Sequence, residues 1–184
     1  MTIHLETPRF IIRDITLEDE ADMFEMDSDP EVHRYLGNKP MQTREEVRNY
    51  INMLLKQRAD NGICRWAVVD KQTNEMVGWV GFRLMTEPVN GHVNYYDFGY
   101  RLKRSVWNKG IASETGKASL EYGINTLGFK PVHAMTDVGN SASRHVLEKL
   151  GFKYVHDFMY DGPMPSWRTD DLMATWYELP ETLA

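Results

Sequence analysis

The chain has 184 residues and a single cysteine, Cys64, so no disulfide can form within it. That scarcity fits a reducing, cytoplasmic setting. No apolar run approaches the roughly 20 residues needed to cross a bilayer, so no membrane span is expected. The opening MTIHLETPRF lacks a basic end followed by an apolar stretch, so it does not read as a signal peptide. Positive charge is in the minority, with 21 Lys and Arg against 27 Asp and Glu and a formal net charge of -6. Counterion release from nucleic acid needs clustered basic residues, so nucleic-acid binding is not expected. The acidic balance mildly favours a cationic acceptor, such as an amine or a basic peptide terminus. Repeats, low-complexity tracts and linker-like composition breaks are all missing, which leaves one domain over residues 1–184. No HExxH spacing occurs among the six histidines, and with one cysteine no metal site is expected. There is no P-loop and no GxGxxG fingerprint.

Hydrophobic periodicity supplies the elements. LETPRFIIRDI reads as a first strand with Pro8 at its start. Thr16 and Asp19 form a capping box with Asp in place of Glu, ahead of a helix with Ala21 and Phe24 on its apolar stripe. A short helix begins with Pro30 in its first turn. Thr43 and Glu46 cap a third helix whose apolar face is Val47, Tyr50, Ile51, Leu54 and Leu55, stopped by Gly62. From Cys64 the period changes. CRWAVVD and MVGWVGFRLM form a hairpin across the polar turn 71–75, and HVNYYDFGYRL is a third strand in which Gly99 marks a bulge or a close backbone approach. A helix from about Ile111, with Ile111, Thr115, Ala118 and Tyr122 on one face, leads to the strand KPVHAMTD. The helix NSASRHVLEKLGF then carries Val146, Leu147 and Leu150, with Gly151 as a left-handed stop and Phe152 as its hydrophobic contact. KYVHDFMY and LMATWYEL close the chain as strands around the loop 161–170. The mixed order indicates an α/β sheet with parallel and antiparallel neighbours.

SVWNKGIASETG carries the first chemical signal. A strand ending near Leu102, a polar turn and a helix opening at Gly110 leave free N–H groups aimed outward. Gly110 permits close approach of a ligand, and the helix dipole favours an anion by roughly 0.3–1 kcal/mol. Lys109 adds a full charge. Asn and Gly also make ordinary turns before helices, so the motif alone leaves both readings open. About thirty residues later, Asn140 and Ser143 open the helix after a strand expected to run parallel to the first.

FGYRLKRSVWNKGIASE and NSASRHVLEKLGF together resemble the two cofactor motifs of the GNAT N-acetyltransferase superfamily. LETPRFIIRDITLEDEADMFEMDSDPEVHRYLG is similar to the start of its RimJ/RimL-type branch. The resemblance implies the GNAT fold: a mixed, mostly antiparallel sheet with a splayed parallel strand pair, flanked by helices. It implies acetyl-CoA as co-substrate. The family's phosphate loop falls on Trp107, Asn108, Lys109, Gly110, Ile111 and Ala112, with backbone N–H groups of 108–113, including Ser113, holding the pyrophosphate. Trp107 departs from the general pattern but is familiar in this branch. Leu102 would offer backbone groups to the pantetheine arm, Gly99 matches the bulge that opens the slot for that arm, and Asn140 would contact the cofactor beside the thioester. The tyrosine with which many relatives protonate the leaving thiolate falls at Leu147, so Ser143 is the remaining candidate.

The implied reaction is direct attack of a primary amine on the acetyl thioester within a ternary complex. Asp97 is the candidate base, working through a water, and Glu178 the second candidate. Each also reads as a plain strand residue, and Ser143 as a helix cap. His133 and His145 read as packing or surface residues, Cys64 as an inert core thiol, and Trp66, Trp79, Trp167 and Trp176 as core. The family's layout places the acceptor site among the first two helices, Tyr35 and the last strands. A protein N-terminal α-amine and a small amine are both open as acceptors, as is the oligomeric state, a homodimer included. The alternative is a silent acyl-CoA-binding module with a regulatory role.

Overall fold

The computed structural model describes residues 2–162 and 172–180. Eight strands form one sheet in the order β1-β2-β3-β4-β5-β6-β8-β7: Ile3–Glu6, Phe10–Asp14, Trp66–Asp70, Met76–Met85, Tyr95–Leu102, Val132–Asp137, Lys153–Met159 (β7) and Met173–Glu178 (β8). Every neighbouring pair is antiparallel except β5 and β6. Those two are joined through the helix α4 (Ile111–Asn125), the kind of crossover that parallel strands require. Helices α1 (Glu20–Asp27), α2 (Pro30–His33) and α3 (Arg44–Asn61) precede β3, and α5 (Ser141–Lys149) follows β6.

The two sheet faces bury different cores. Phe82, Phe98, Leu120, Leu147, Leu150 and Phe152 pack between the sheet and α4 with α5. Met23, Met26, Val47, Ile51, Leu54 and Trp79 pack beneath α1 and α3 on the opposite face. Small residues let α4 come close: a Cβ on Gly123 would sit 2.4 Å from the Phe82 ring, and one on Gly116 2.8 Å from Leu150.

The caps are those expected. Thr43 and Glu46 close a reciprocal box on α3, Gly62 ends that helix at φ 74°, and Thr16 with Asp19 heads the 3-10 turn before α1. At the end of α5, Gly151 takes φ 97°, its N–H reaches Glu148 O, and the Phe152 N–H reaches Leu147 O at 3.1 Å. Phe152 is buried and stacks on Phe98.

Three expectations are corrected. The first strand is a hairpin of two, because Thr7 turns the chain at Pro8: its N–H reaches Phe10 O at 2.8 Å and its hydroxyl accepts from Phe10 N–H at 3.0 Å. The buried stripe of α1 is Met23, Met26 and Asp27, whereas Ala21 is exposed and Phe24 half-buried. Gly99 makes no bulge, since β4 and β5 stay in register from Gly78↔Leu102 to Met85↔Tyr95. It is instead a close approach: a Cβ there would lie 3.1 Å from the Arg65 guanidinium. Of the loop 161–170, residues 163–170 lie outside the described residues, Trp167 among them.

Candidate active site

β5 and β6 pair at Tyr96↔Val132 and Asp97↔His133, and the ladder ends there. Beyond that point the two strands run on to Leu102 and Asp137 unpaired with each other, leaving a slot that opens toward their carboxyl ends. Ligand sites in open sheets gather at such carboxyl ends. Each strand is followed there by a helix N-terminus, that of α4 and that of α5.

At α4 the turn is built for close approach. Asn108 and Gly110 both take left-handed conformations, φ 61° and 73°. A Cβ on Gly110 would meet only the tip of Arg9 at 3.9 Å, so the space before the helix is open. The N–H groups of Ile111, Ala112 and Ser113 belong to the first turn, where no intrahelical partner exists. These residues fit a phosphate group. The Trp107 indole N–H bonds Leu102 O at 2.9 Å, tying the loop to the end of β5, so this Leu102 carbonyl already accepts a bond. The Lys109 ammonium donates to Ser105 O at 3.0 Å and helps close the loop. Sequence reading missed Arg9: its guanidinium bonds Lys109 O at 3.0 Å and pairs with Glu114 at 2.6 Å, bringing a second cation to the turn. The pairing spans 105 residues and leaves no local pattern.

At α5, Asn140 is the N-cap, and its side chain accepts from the Ser143 N–H at 3.1 Å. Capping therefore belongs to Asn140, and the Ser143 hydroxyl is free for another role. The Tyr100 hydroxyl of β5 donates to Ser143 Oγ at 3.3 Å, and burial pushes the Tyr100 phenol up to about 12. Leu147, where a tyrosine would be the usual proton donor, is a buried core residue. The phenol at this site thus comes from the strand. Tyr100 sat in the quoted motif, but alternation along β5 was the signal that put it on the Ser143 side.

Asp97 points to the opposite face, since successive strand side chains alternate. It is not an exposed strand residue but 5% accessible. Its Oδ2 is gripped by Arg65, whose guanidinium also donates to Asp97 O at 2.6 Å and to Gly81 O. Gly99 leaves the room this guanidinium fills. Next along the same face, Arg101 pairs with Asp27 at 2.6 Å, and Asp27 meets His33 at 3.3 Å. Burial opposes ionisation of Asp27, but Arg101 and His33 together outweigh it and hold the carboxyl below its ordinary value. Trp79 lies between Arg65 and Arg101, each 5.2 Å from its ring. Trp66 and Trp176 are core residues too, and Cys64 is a buried thiol pushed up to about 11 by burial.

The register sets one cross-strand row on this face: Arg83, Asp97, His133, Glu178 and Lys153. Both candidate bases, Asp97 and Glu178, are therefore in one row, with His133 between them. His133 is buried, its pKa is lowered by that burial, and its Nδ1 lies 3.9 Å from Glu178 Oε1. Glu178 accepts from the Trp176 indole at 3.2 Å. Among the described residues, His92, His133 and Glu178 bring ligand atoms within 4.8 Å of one another. Sequence spacing hid this group because its members are cross-strand neighbours. His145 is exposed, and Tyr35 lies against Gly139 in the loop before α5. No described helix is long and apolar enough to cross a membrane.

The chain matches the acetyltransferase (GNAT) domain model over residues 9–153. An uncharacterized N-acetyltransferase of Bacillus subtilis is 29% identical over 164 residues, covering 88% of this chain and 90% of the relative. A GNAT-family acetyltransferase from Bacillus anthracis shares the fold at TM-score 0.76 and 24% identity, over 98% of this chain and 99% of that one. RimL, a ribosomal L7/L12 alpha-N-protein acetyltransferase, superposes at TM-score 0.75 with 15% identity, over 96% and 93%. A Vibrio cholerae spermidine N-acetyltransferase solved with CoA and spermine does so at 0.71 with 18% identity, over 94% and 96%. With a family match across most of the chain and a sheet that parts between two helix N-termini, this protein belongs to the GNAT family of acetyltransferases and is an acyl-transferring enzyme.

Proposed function

We propose that the enzyme transfers an acetyl group from acetyl-CoA to a primary amine by direct attack, with cofactor and acceptor approaching from opposite faces of the β5–β6 slot. The observation that carries this reading is the end of the β5–β6 ladder at Asp97↔His133, with Ser143 and Tyr100 on one side and Asp97 on the other. The backbone of residues 108–113 would hold the pyrophosphate, and Asn140 and Leu102 would line the slot. The fold is shared by RimL, a ribosomal-protein alpha-N-acetyltransferase, and by a spermidine N-acetyltransferase, so both a protein α-amine and a polyamine are acceptors within it.

Attack needs an unprotonated amine. With reference pKa values of about 7.7–8.0 for an α-amine and about 10.4 for lysine, the neutral fractions at pH 7 are roughly one in seven and one in a few thousand. An α-amine therefore starts about 3–4 kcal/mol ahead of a lysine side chain. Asp97 takes the proton through a water, and Glu178 in the same row is the second candidate. The leaving thiolate, from a thiol of pKa about 8.5, needs only modest help, supplied by Ser143 with the Tyr100 hydroxyl behind it. Most of the acceleration then comes from placing two substrates together.

Release of free thiol from acetyl-CoA, followed across amines and peptides, tests the reading. Amine-dependent release supports it. Tight CoA binding with no release across a broad panel favours the silent acyl-CoA-binding module instead.

A further inference from the structure

In the charged row beside the slot, the Arg83 guanidinium makes no hydrogen bond among the described residues. Arg83 and Asp97 are cross-strand partners on β4 and β5. Arg83 Nη2 stands 4.0 Å from Asp97 Oδ2, too far for a hydrogen bond, and that oxygen is already held by Arg65. Arg83 Nε is buried with no hydrogen-bond partner among the described residues. Its side chain nevertheless remains 29% exposed, so the guanidinium is within reach of a ligand.

The two other arginines on this face differ. Arg65 donates to Asp97 and to two backbone carbonyls, and Arg101 is paired with Asp27. Three guanidinium groups thus share two aspartates, and the unspent positive charge sits on Arg83. Glu178, the next acid in the row, lies beyond β6 and accepts from the Trp176 indole.

We infer that Arg83 binds a carboxylate carried by the acceptor, so that the substrate is an amine with a free carboxylate a few bonds away, of the amino-acid type. A planar guanidinium with unused donors matches a carboxylate with two parallel N–H···O bonds. A carboxylate held there brings an amine a few bonds away to the neighbourhood of Asp97, where the proton must be removed. A polyamine would instead meet Arg83 with like charge. The local surplus at the site outweighs the overall acidic charge, which on its own favours a cationic acceptor. This inference rests on the acetyltransferase reading and sharpens its acceptor.

The test is acetyl-CoA thiol release with a panel of L-amino acids and dipeptides, each assayed beside its C-terminal amide, with spermidine alongside. Amidation lowers the amine pKa and so raises intrinsic reactivity, which sets the chemistry against the expected order. The inference expects kcat/KM at least tenfold higher for the acid than for its amide, mainly through KM. Arg83→Gln should bring that ratio to within about twofold of one, and Arg83→Lys should keep part of it, with the CoA-induced thermal shift reporting that both variants are folded. Amides equal to or better than acids, or spermidine as the preferred acceptor, would overturn it while leaving the transferase reading intact. An Arg83→Gln loss that falls equally on acid and amide would also overturn it, because that is the behaviour of a structural residue. Absence of thiol release with every amine of the panel contradicts the transferase reading itself, and this inference with it.

Discussion

The two faces of β5 are built from opposite chemistry. One turns Phe98, Tyr100 and Leu102 toward α4 and α5 in an apolar core. The other turns Asp97 and Arg101 toward buried partners, in the separate ion pairs Arg65–Asp97 and Arg101–Asp27. Apolar packing tolerates a range of substitutes, whereas a buried charge loses its compensation the moment its partner is removed. The apolar face therefore suits the holding of a long cofactor arm, and the charged face suits the positioning of a reacting amine.

The largest expected effect is on the charged face. Asp27→Ala leaves Arg101 buried and unpaired and should cost about 3–5 kcal/mol of stability by urea titration. Phe98→Ala on the other face should cost a similar amount through the cavity it leaves, but the two should differ with pH. The folded-state pKa of Asp27 is depressed, so its contribution is fully present above the unfolded value of about 3.9 and is lost as pH falls through the folded value. Near pH 2 the penalty for Asp27→Ala should shrink, and that for Phe98→Ala should not.

Catalysis should divide the same way. Asp97→Asn is expected to lower kcat by about a hundredfold or more, the usual range for a lost general base. Ser143→Ala should lower it about tenfold, since the thiolate needs less help. Both should leave CoA binding nearly intact, and single-turnover rates equal to the unaltered enzyme would remove either residue from the chemistry. Asn140→Ala should cost about 1 kcal/mol through the lost cap of α5. His133, whose pKa burial lowers, contributes stability above its unfolded value of about 6.5 that is lost as pH falls below it. His133→Gln should flatten the stability profile between pH 7 and pH 5, and an unchanged slope would contradict its burial.

Local signals made much of this fold legible. The Thr43–Glu46 box, the Gly62 and Gly151 stops and the hairpin from Trp66 depend on residues a few positions apart, and each stands where its pattern put it. The phosphate turn was legible for the same reason, because Asn108 and Gly110 carry their left-handed backbone in their own chemistry. What stayed hidden was set by distance in the chain. The Arg65–Asp97 pair joins residues 32 apart and Tyr100–Ser143 residues 43 apart, and only the strand register shows which face each side chain takes. A glycine inside a strand signals a bulge or a close approach without saying which, and at Gly99 it is the second: the room is filled by the guanidinium of Arg65, just before β3.

The division of labour between the faces is tested most directly by two readouts on two variants: the CoA-induced thermal shift and acetyl-CoA turnover, in Gly110→Glu and Asp97→Asn. The account predicts that Gly110→Glu abolishes the shift and, with it, turnover at ordinary cofactor concentrations. Asp97→Asn should keep the shift and lose turnover. A Gly110→Glu enzyme that still binds CoA like the unaltered one, or an Asp97→Asn enzyme that turns over normally, would contradict it.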